Sequence, residues 1–267
     1  MTLAEAIKIL SDAGVDNPRY DARELFSRIG KIPISELVSP LAECGSAELI
    51  SAIERRKNRE PLQYIIGEVD FYHEVYKVSS DCLIPRQDTE ILVDYAVKNI
   101  PDGKCFLDLC TGSGCIAVST LKNTKNTRAT ALDISKGALA LAKHNAEKNG
   151  VCERIEFVCA DAKSCAIDGE FFAILSNPPY VTETAYKALE PELYFEPDIA
   201  FVGGASGLDF YEKILALYNK KISPDGFFAF EIGYDQGESL KSLASSYGMR
   251  CDIIKDYSGL DRVAILR

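Results

Sequence analysis

Apolar positions in the first fifty-odd residues recur at helical spacing. Leu3, Ile7 and Leu10 share one face, as do Ala22, Leu25 and Phe26, then Leu49, Ile50 and Ile53. Breakers separate these stripes at Gly14, Asn17-Pro18, Gly30, Pro33 and Pro40. The pattern predicts a small helical bundle, with Asp21 and Glu24 as an acidic pair opening the second helix and a short helix over Ile34–Val38. From Leu62 to Val78 the sequence QYIIGEVDFYHEVYKVS reads as a hairpin turning near Gly67.

Beyond Leu83 the period alternates. Short, largely apolar segments predict strands over 104–109, 128–133, 155–160, 171–176 and 227–232, the run 171–176 marked by its Phe and Ile content. Amphipathic stretches predict helices over 89–98, 115–121, 135–149, 208–219 and 236–247, and the segments 249–256 and 262–267 can close the chain as a hairpin. Alternating strands and helices imply an α/β fold with a mostly parallel sheet. The expected organisation is a helical domain over 1–60, a linking hairpin over 61–84 and an α/β domain over 85–267.

Composition narrows the function. The 267 residues are 47% hydrophobic and 26% charged, as in ordinary globular proteins, and lack the continuous apolar run of a membrane span. No basic segment precedes an apolar core at the N-terminus, so a cytoplasmic protein is expected. Nine cysteines, an odd number without zinc-like spacing, suit reduced structural thiols, and no metal site is expected. A formal net charge of -10 argues against binding a phosphate backbone and favours a protein or small-molecule substrate. Arg55-Arg56-Lys57-Asn58-Arg59 is the one basic cluster, readable as a solvated helix end or as a contact surface.

Two stretches carry candidate chemistry. The first, Asp108-Leu-Cys110-Thr111-Gly112-Ser113-Gly114, joins a strand to a helix. Its glycines permit close backbone approach by a ligand, and the helix behind it offers N–H groups. Gly112, Gly114 and Ala117 satisfy the dinucleotide fingerprint, with Asp133 about 20 residues on, so a dehydrogenase fits this loop too. Asp108 separates the readings, because a carboxylate opposes a pyrophosphate but attracts a cation such as S-adenosylmethionine. Asp133 can accept from both ribose hydroxyls, and Asp161 is placed to reach an adenine amino group or to cap the turn before Ala162.

The second stretch is Asn177-Pro178-Pro179-Tyr180, at the end of the apolar run 171–176. Two prolines make a stiff, extended stub. There the Asn177 carboxamide oxygen and the Pro178 carbonyl can each accept an N–H of a planar nitrogen group, with Tyr180 packed on its flat side. Such acceptors hold an amide or exocyclic amine with its lone pair toward an electrophile.

With these residues in view, the chain resembles the glutamine N5-methyltransferases of peptide chain release factors (the HemK/PrmC family). The likeness runs from about Arg55 to the C-terminus. It rests on Arg59-Glu-Pro-Leu-Gln-Tyr-Ile-Ile-Gly67, Leu83-Ile-Pro-Arg-Gln-Asp-Thr-Glu90, the Asp108 loop, Asn177-Pro-Pro-Tyr180, Phe195-Glu-Pro197, Gly203-Gly204 and Gly207-Leu208 with Tyr211. The resemblance implies a seven-stranded, Rossmann-like class I methyltransferase sheet behind an N-terminal helical domain. It implies S-adenosyl-L-methionine as cofactor, S-adenosyl-L-homocysteine as product, and the glutamine of the Gly-Gly-Gln loop of class 1 release factors as acceptor. Asp108, Cys110 to Gly114, Asp133, Asp161, Ala162 and Asn177 then belong to the cofactor site. Asn177 to Tyr180 take catalytic and substrate-binding roles, and Arg86 and Glu90 either contact substrate or pair at a helix start. Tyr194 and Phe195 line the acceptor pocket or pack the long loop. Ala162 stands where an aromatic residue can cover the adenine, Cys110 where Gly is more usual, and Gln87 where Pro is more usual. The expected partner is the release factor, with no direct nucleic acid, no membrane and a monomeric enzyme. The alternatives are a ribosomal-protein glutamine methyltransferase, a nucleic-acid adenine N6 methyltransferase, or a non-catalytic S-adenosylmethionine-binding module.

Overall fold

The computed structural model describes residues 1–267. In chain order the elements are α1 (Leu3–Asp12), α2 (Pro18–Arg28), α3 (Ala47–Lys57), α4 (Leu62–Ile66), β1 (Glu68–Phe71), β2 (Glu74–Lys77), α5 (Thr89–Asn99), β3 (Cys105–Leu109), α6 (Cys115–Lys122), β4 (Arg128–Asp133) and α7 (Lys136–Lys148). There follow β5 (Ile155–Cys159), β6 (Phe171–Ser176), α8 (Glu183–Tyr186), α9 (Asp209–Tyr218), β7 (Ile222–Glu231), α10 (Gly237–Ser246), β8 (Cys251–Lys255) and β9 (Asp261–Leu266). None of the helices is long and apolar enough to cross a membrane. The chain divides into two compact units, Met1–Glu68 with Glu190–Phe195, and Val69–Leu189 with Glu196–Arg267.

In the first unit, α1 starts with a capping box: the Glu5 amide donates to Thr2 Oγ1 at 3.2 Å and the Thr2 amide to Glu5 Oε2 at 2.8 Å. Leu3, Leu10, Leu25, Phe26, Leu49 and Ile53 are buried in one core, whereas Ile50 is exposed. Asp21 does not open α2. Pro18 does, because its fixed φ suits the first helical position. Asp21 lies one turn in, where its Oδ2 accepts Arg56 Nε at 2.6 Å with both side chains buried. Burial pushes the Asp21 carboxyl up, against the pull of Arg56.

The basic cluster is internally paired. Arg55 bonds Glu60, Lys57 bonds Glu54, and Arg59 grips Glu192 with Nε at 2.5 Å and Nη2 at 2.7 Å. Arg56 Nη2 adds a third bond to Glu192 at 3.1 Å. These bonds secure 190–195 within the first unit. Residues 62–66 are a correction: they form α4 rather than a strand. Pro61 precedes its first turn and Gly67, at φ 87°, ends it in the left-handed conformation that glycine adopts without strain. The hairpin is confined to β1 and β2, and turns at Tyr72 and His73, both with positive φ.

The second unit is built on a seven-stranded sheet of order β5-β4-β3-β6-β7-β9-β8. All neighbours from β5 to β7 pair in parallel, and β9 runs antiparallel to β7 and β8. Alternation along the strands supplies two cores. Phe106, Ala173, Leu175, Phe227, Val263 and Ile265 face the layer that contains α5, α6 and the hairpin residues Phe71 and Tyr76. Leu107, Ile174, Phe228, Phe230 and Ala264 face Tyr211, Leu215 and Leu240 of α9 and α10. Each fully buried Phe or Leu stabilises the fold by about 1.5–3 kcal/mol. The sheet is the seven-stranded, mostly parallel α/β arrangement expected from the sequence. Strand β7 begins at Ile222, earlier than the apolar run, because the bulge in its pairing with β6 accommodates Pro224 and Gly226.

Candidate active site

Helices cross over in opposite directions on either side of the β3–β6 boundary, where open parallel sheets place their ligands at the carboxyl ends of the strands. Leu109 of β3 stands in register with Ser176 of β6, and the Ser176 hydroxyl donates to the Leu109 carbonyl at 2.6 Å. The glycine loop and the Asn177 tetrapeptide therefore leave adjacent strands at one level. A cavity forms there, and its walls include Thr111, Gly112 and Asp133 on one side and Asn177 and Pro179 on the other.

Asp108 lies beneath the loop rather than in the cavity wall. Its Oδ2 accepts the Thr111 hydroxyl at 2.6 Å and the Ala117 amide at 3.1 Å, tying the loop to the first turn of α6. Its Oδ1 is buried without a hydrogen-bond partner. Burial raises its pKa from 3.8 to about 7, opposed by those two bonds. Cys110 has φ 59°, a left-handed conformation that Gly would adopt more easily. Gly114, at φ 80°, leaves no room for a side chain, since a Cβ would lie 3.0 Å from the Ala142 Cβ on α7. A Cβ at Gly112 would meet only Cys82, at 3.8 Å. Gly114 thus serves close packing, and Gly112 bounds open space.

Asp133 Oδ2 accepts the Gly112 amide and Oδ1 the Ser135 amide, each at 2.9 Å. Burial raises its pKa, against the pull of these N–H groups. Asp161 and Ala162 line the same cavity, with Asp161 Oδ1 accepting the Lys163 amide at 2.9 Å. Ser113, Cys110 and Arg86 also line it, whereas Gly114, Pro178, Tyr180 and Glu90 do not.

Arg86 pairs with the buried Glu196, which also accepts the Ile84 amide at 2.8 Å. Glu90 is occupied elsewhere, accepting the Tyr72 amide of the hairpin turn at 3.0 Å. The Arg86–Glu90 pair considered from the sequence is replaced by Arg86–Glu196, which fastens the long loop after the tetrapeptide. Tyr194 and Phe195 are partly exposed and belong to the first unit, outside the cavity lining.

The tetrapeptide is held from several sides. Asn177 Nδ2 donates to Thr89 Oγ1 at 3.3 Å, and the Tyr180 hydroxyl donates to Glu231 Oε1 at 3.4 Å. Gln236 Nε2 reaches the Tyr180 carbonyl at 3.3 Å. Glu231, Gln236 and Phe210 were not singled out from the sequence, and Thr89 entered only within the 83–90 motif and as the start of its helix. Glu231 carried a usable signal, an acid ending the apolar run Phe227-Phe-Ala-Phe230 as Asp133 ends β4.

The comparisons with known proteins converge on one family. The family model described as PrmC N-terminal domain matches residues 2–67, and that described as Methyltransferase small domain matches residues 86–192. The release factor glutamine methyltransferase of Geobacter sulfurreducens is 35% identical over 260 residues, spanning 95% of this chain and 91% of its own. That of Thermodesulfovibrio yellowstonii is 36% identical over 256 residues, 92% of this chain and 91% of its own. The chain belongs to the release factor glutamine methyltransferase family. A solved ribosomal protein L11 methylase from Lactobacillus delbrueckii subsp. bulgaricus shares the fold at TM-score 0.53 and 18% identity, over 73% of this chain and 86% of that one. Membership of a methyltransferase family implies use of S-adenosylmethionine. The cavity suits that group: an open face at Gly112, a carboxylate in the wall at Asp133 and a buried, unpartnered carboxylate oxygen at Asp108 beneath the loop.

Proposed function

We propose that this protein transfers a methyl group from S-adenosyl-L-methionine to the side-chain amide nitrogen of the glutamine in the Gly-Gly-Gln loop of class 1 peptide chain release factors. The observation that carries this reading is the shared cavity: Asn177 and Pro179 of the acceptor stub line the same space as Gly112 and Asp133 of the glycine loop. When bound, the cofactor supplies an electrophilic methyl group on a sulfonium.

Thr111 to Ser113 cradle the cofactor, and Gly114, expected there from the sequence, instead packs the loop against α7. Asp133 receives its ribose, because each oxygen bonded to one backbone N–H retains a second accepting position. Asp161 and Ala162 form the adenine end of the cavity, with the buried Phe210 as an aromatic wall that the sequence did not indicate. Asn177, in the cavity wall, takes one amide N–H group of the glutamine, and the carbonyl of Pro178, beside it in the stub but outside the wall, takes the other as the side chain enters. Because Asn177 Nδ2 is committed to Thr89, Oδ1 is the carboxamide atom that faces a donor.

A glutamine nitrogen is a poor nucleophile, since its lone pair is delocalised into the carbonyl. Two fixed acceptors align that lone pair with the methyl group and favour pyramidalisation as positive charge develops. Arg86, held by Glu196, flanks the cavity on the substrate side. The enzyme is expected to act as a monomer on the free protein substrate in the cytoplasm.

The test is incubation with labelled S-adenosylmethionine and purified release factor, either wild type or with its loop glutamine changed to alanine. Label on the wild type alone is expected. Label retained on the alanine form, or transferred instead to a ribosomal protein or adenine-containing nucleic acid, overturns the substrate assignment.

A further inference from the structure

We infer that Thr89 and Glu231 are positioning residues that fix the polarity of the Asn177 carboxamide and so determine which of its ends meets the acceptor amide. The inference rests on the glutamine reading above, since only an N–H donor requires an acceptor at that point.

The argument turns on counting protons. Thr89 opens α5 and Glu231 closes β7, and both are about 2% exposed. The Thr89 hydroxyl donates to Glu231 Oε2 at 2.5 Å. A hydroxyl carries one proton, so Oγ1 then offers Asn177 only lone pairs. The carboxamide, 3.3 Å away, must present its Nδ2–H, which turns Oδ1 toward the cavity. The other Glu231 oxygen accepts the Tyr180 hydroxyl at 3.4 Å. One carboxylate therefore sets both ends of the Asn177–Tyr180 stub.

A proton on Glu231 would reverse the chain of bonds. The acid would donate to Thr89, the Thr89 hydroxyl would be free to donate to Asn177 Oδ1, and Nδ2 would turn into the cavity. Donor would then face donor at the acceptor amide. Around Glu231 the charged and titratable groups are Arg262 of β9, Asp88 just before α5, Tyr180, Cys115 of α6 and Tyr211 of α9, whose hydroxyl donates to the Glu231 carbonyl at 2.9 Å. Burial outweighs the Thr89 bond and the attraction of Arg262, and lifts Glu231 from 4.5 to about 7. The ionised, correctly polarised form is present above that value and lost as the pH falls through it.

The experiment measures kcat and KM for the release factor in the wild type, T89S, T89V and E231Q, between about pH 6 and about pH 8. Calorimetric binding of S-adenosylmethionine serves as the control for folding. Wild-type kcat is expected to rise about tenfold across that range, as a single group with pKa near 7 requires. T89S should keep the wild-type profile within about twofold, because its hydroxyl remains. T89V should lose about five- to tenfold in kcat, one neutral hydrogen bond, with KM nearly unchanged. E231Q should lose on the order of 100-fold and show no rise with pH. Wild-type turnover in T89V, or a wild-type pH rise in E231Q, overturns the inference.

A second measurement needs no turnover. The side-chain amide resonances of Asn177, assigned by comparison with N177D, should shift with a midpoint near pH 7 in the wild type and not in E231Q. A shift that survives in E231Q refutes the relay even in an enzyme that methylates a different acceptor. If the wild type fails to label the release factor while the resonance behaves as described, the substrate assignment falls and the relay stands.

Discussion

Asp108 is ionisable, wholly buried and half-satisfied, and replacing it with Asn isolates the consequence. Its carboxyl is raised from 3.8 to about 7 in the folded chain, chiefly by burial. A raised carboxyl pKa gives the folded state stability at low pH that is lost as the pH climbs through the folded value. Three units at about 1.36 kcal/mol each amount to about 4 kcal/mol against the folded form at pH 8, and about 2 kcal/mol at pH 5. In D108N the Asn oxygen can still accept from Thr111 and Ala117, and one polar atom stays buried without a partner, as in the neutral acid. Those contributions cancel, so the titration remains. Urea unfolding of the cofactor-free protein should show D108N gaining on the wild type by about 2 kcal/mol between pH 5 and pH 8. The same variant should bind S-adenosylmethionine about tenfold more weakly, since about 1.4 kcal/mol of attraction to the cationic centre is removed. A stability difference independent of pH would refute the reasoning.

Three further outcomes follow from the geometry. N177A should lower kcat by on the order of 100-fold, measured by label transfer to the release factor, through loss of a preorganised acceptor. G114A combines a left-handed backbone at φ 80° with a Cβ pressed to 3.0 Å from Ala142, and should destabilise the second unit by about 2–4 kcal/mol in chemical unfolding. R56A leaves Asp21 buried without its cation and should cost about 3–5 kcal/mol in the helical unit, read from its own unfolding transition. Restoring neutrality with D21N in the same chain should recover part of that loss.

What the sequence revealed and what it concealed divide by distance along the chain. Strands β3 and β6 were legible because burial on both faces demands largely apolar runs, and each run has a local signature. The Asp108 loop and the Asn177 stub were legible for the same reason, since glycines and prolines restrict the backbone where they stand. The helix 62–66 was misread as a strand because Tyr64-Ile-Ile66 has β-favouring residues. Five residues between Pro61 and Gly67 leave too short a window for a helical period to emerge. Arg56 and Arg59 could not be matched to Glu192, more than a hundred residues away, because an ion pair leaves no pattern in either segment. Glu90 was the wrong partner for Arg86 for the related reason that proximity in sequence does not decide which carboxylate is buried nearby.

The buried acids at the strand ends suggest why this site tolerates unfavourable burial. Asp133 and Glu231 close β4 and β7, Asp108 is the penultimate residue of β3 on the same edge of the sheet, and burial raises the pKa of each. Apolar residues at those positions would continue the strands' own pattern and stabilise the fold. Each carboxylate instead accepts hydrogens that set a functional segment: Thr111 and Ala117 for the loop, Gly112 and Ser135 for the ribose edge, Thr89 and Tyr180 for the acceptor stub. Acceptors can organise donors without spending the site's own oxygens, and the proposed chemistry on glutamine requires the Asn177 oxygen to remain free. A site that orients a weak nucleophile rather than deprotonating it needs such fixed dipoles more than it needs a base. Excess stability is given up at the strand ends so that the amide meets oxygens already in place.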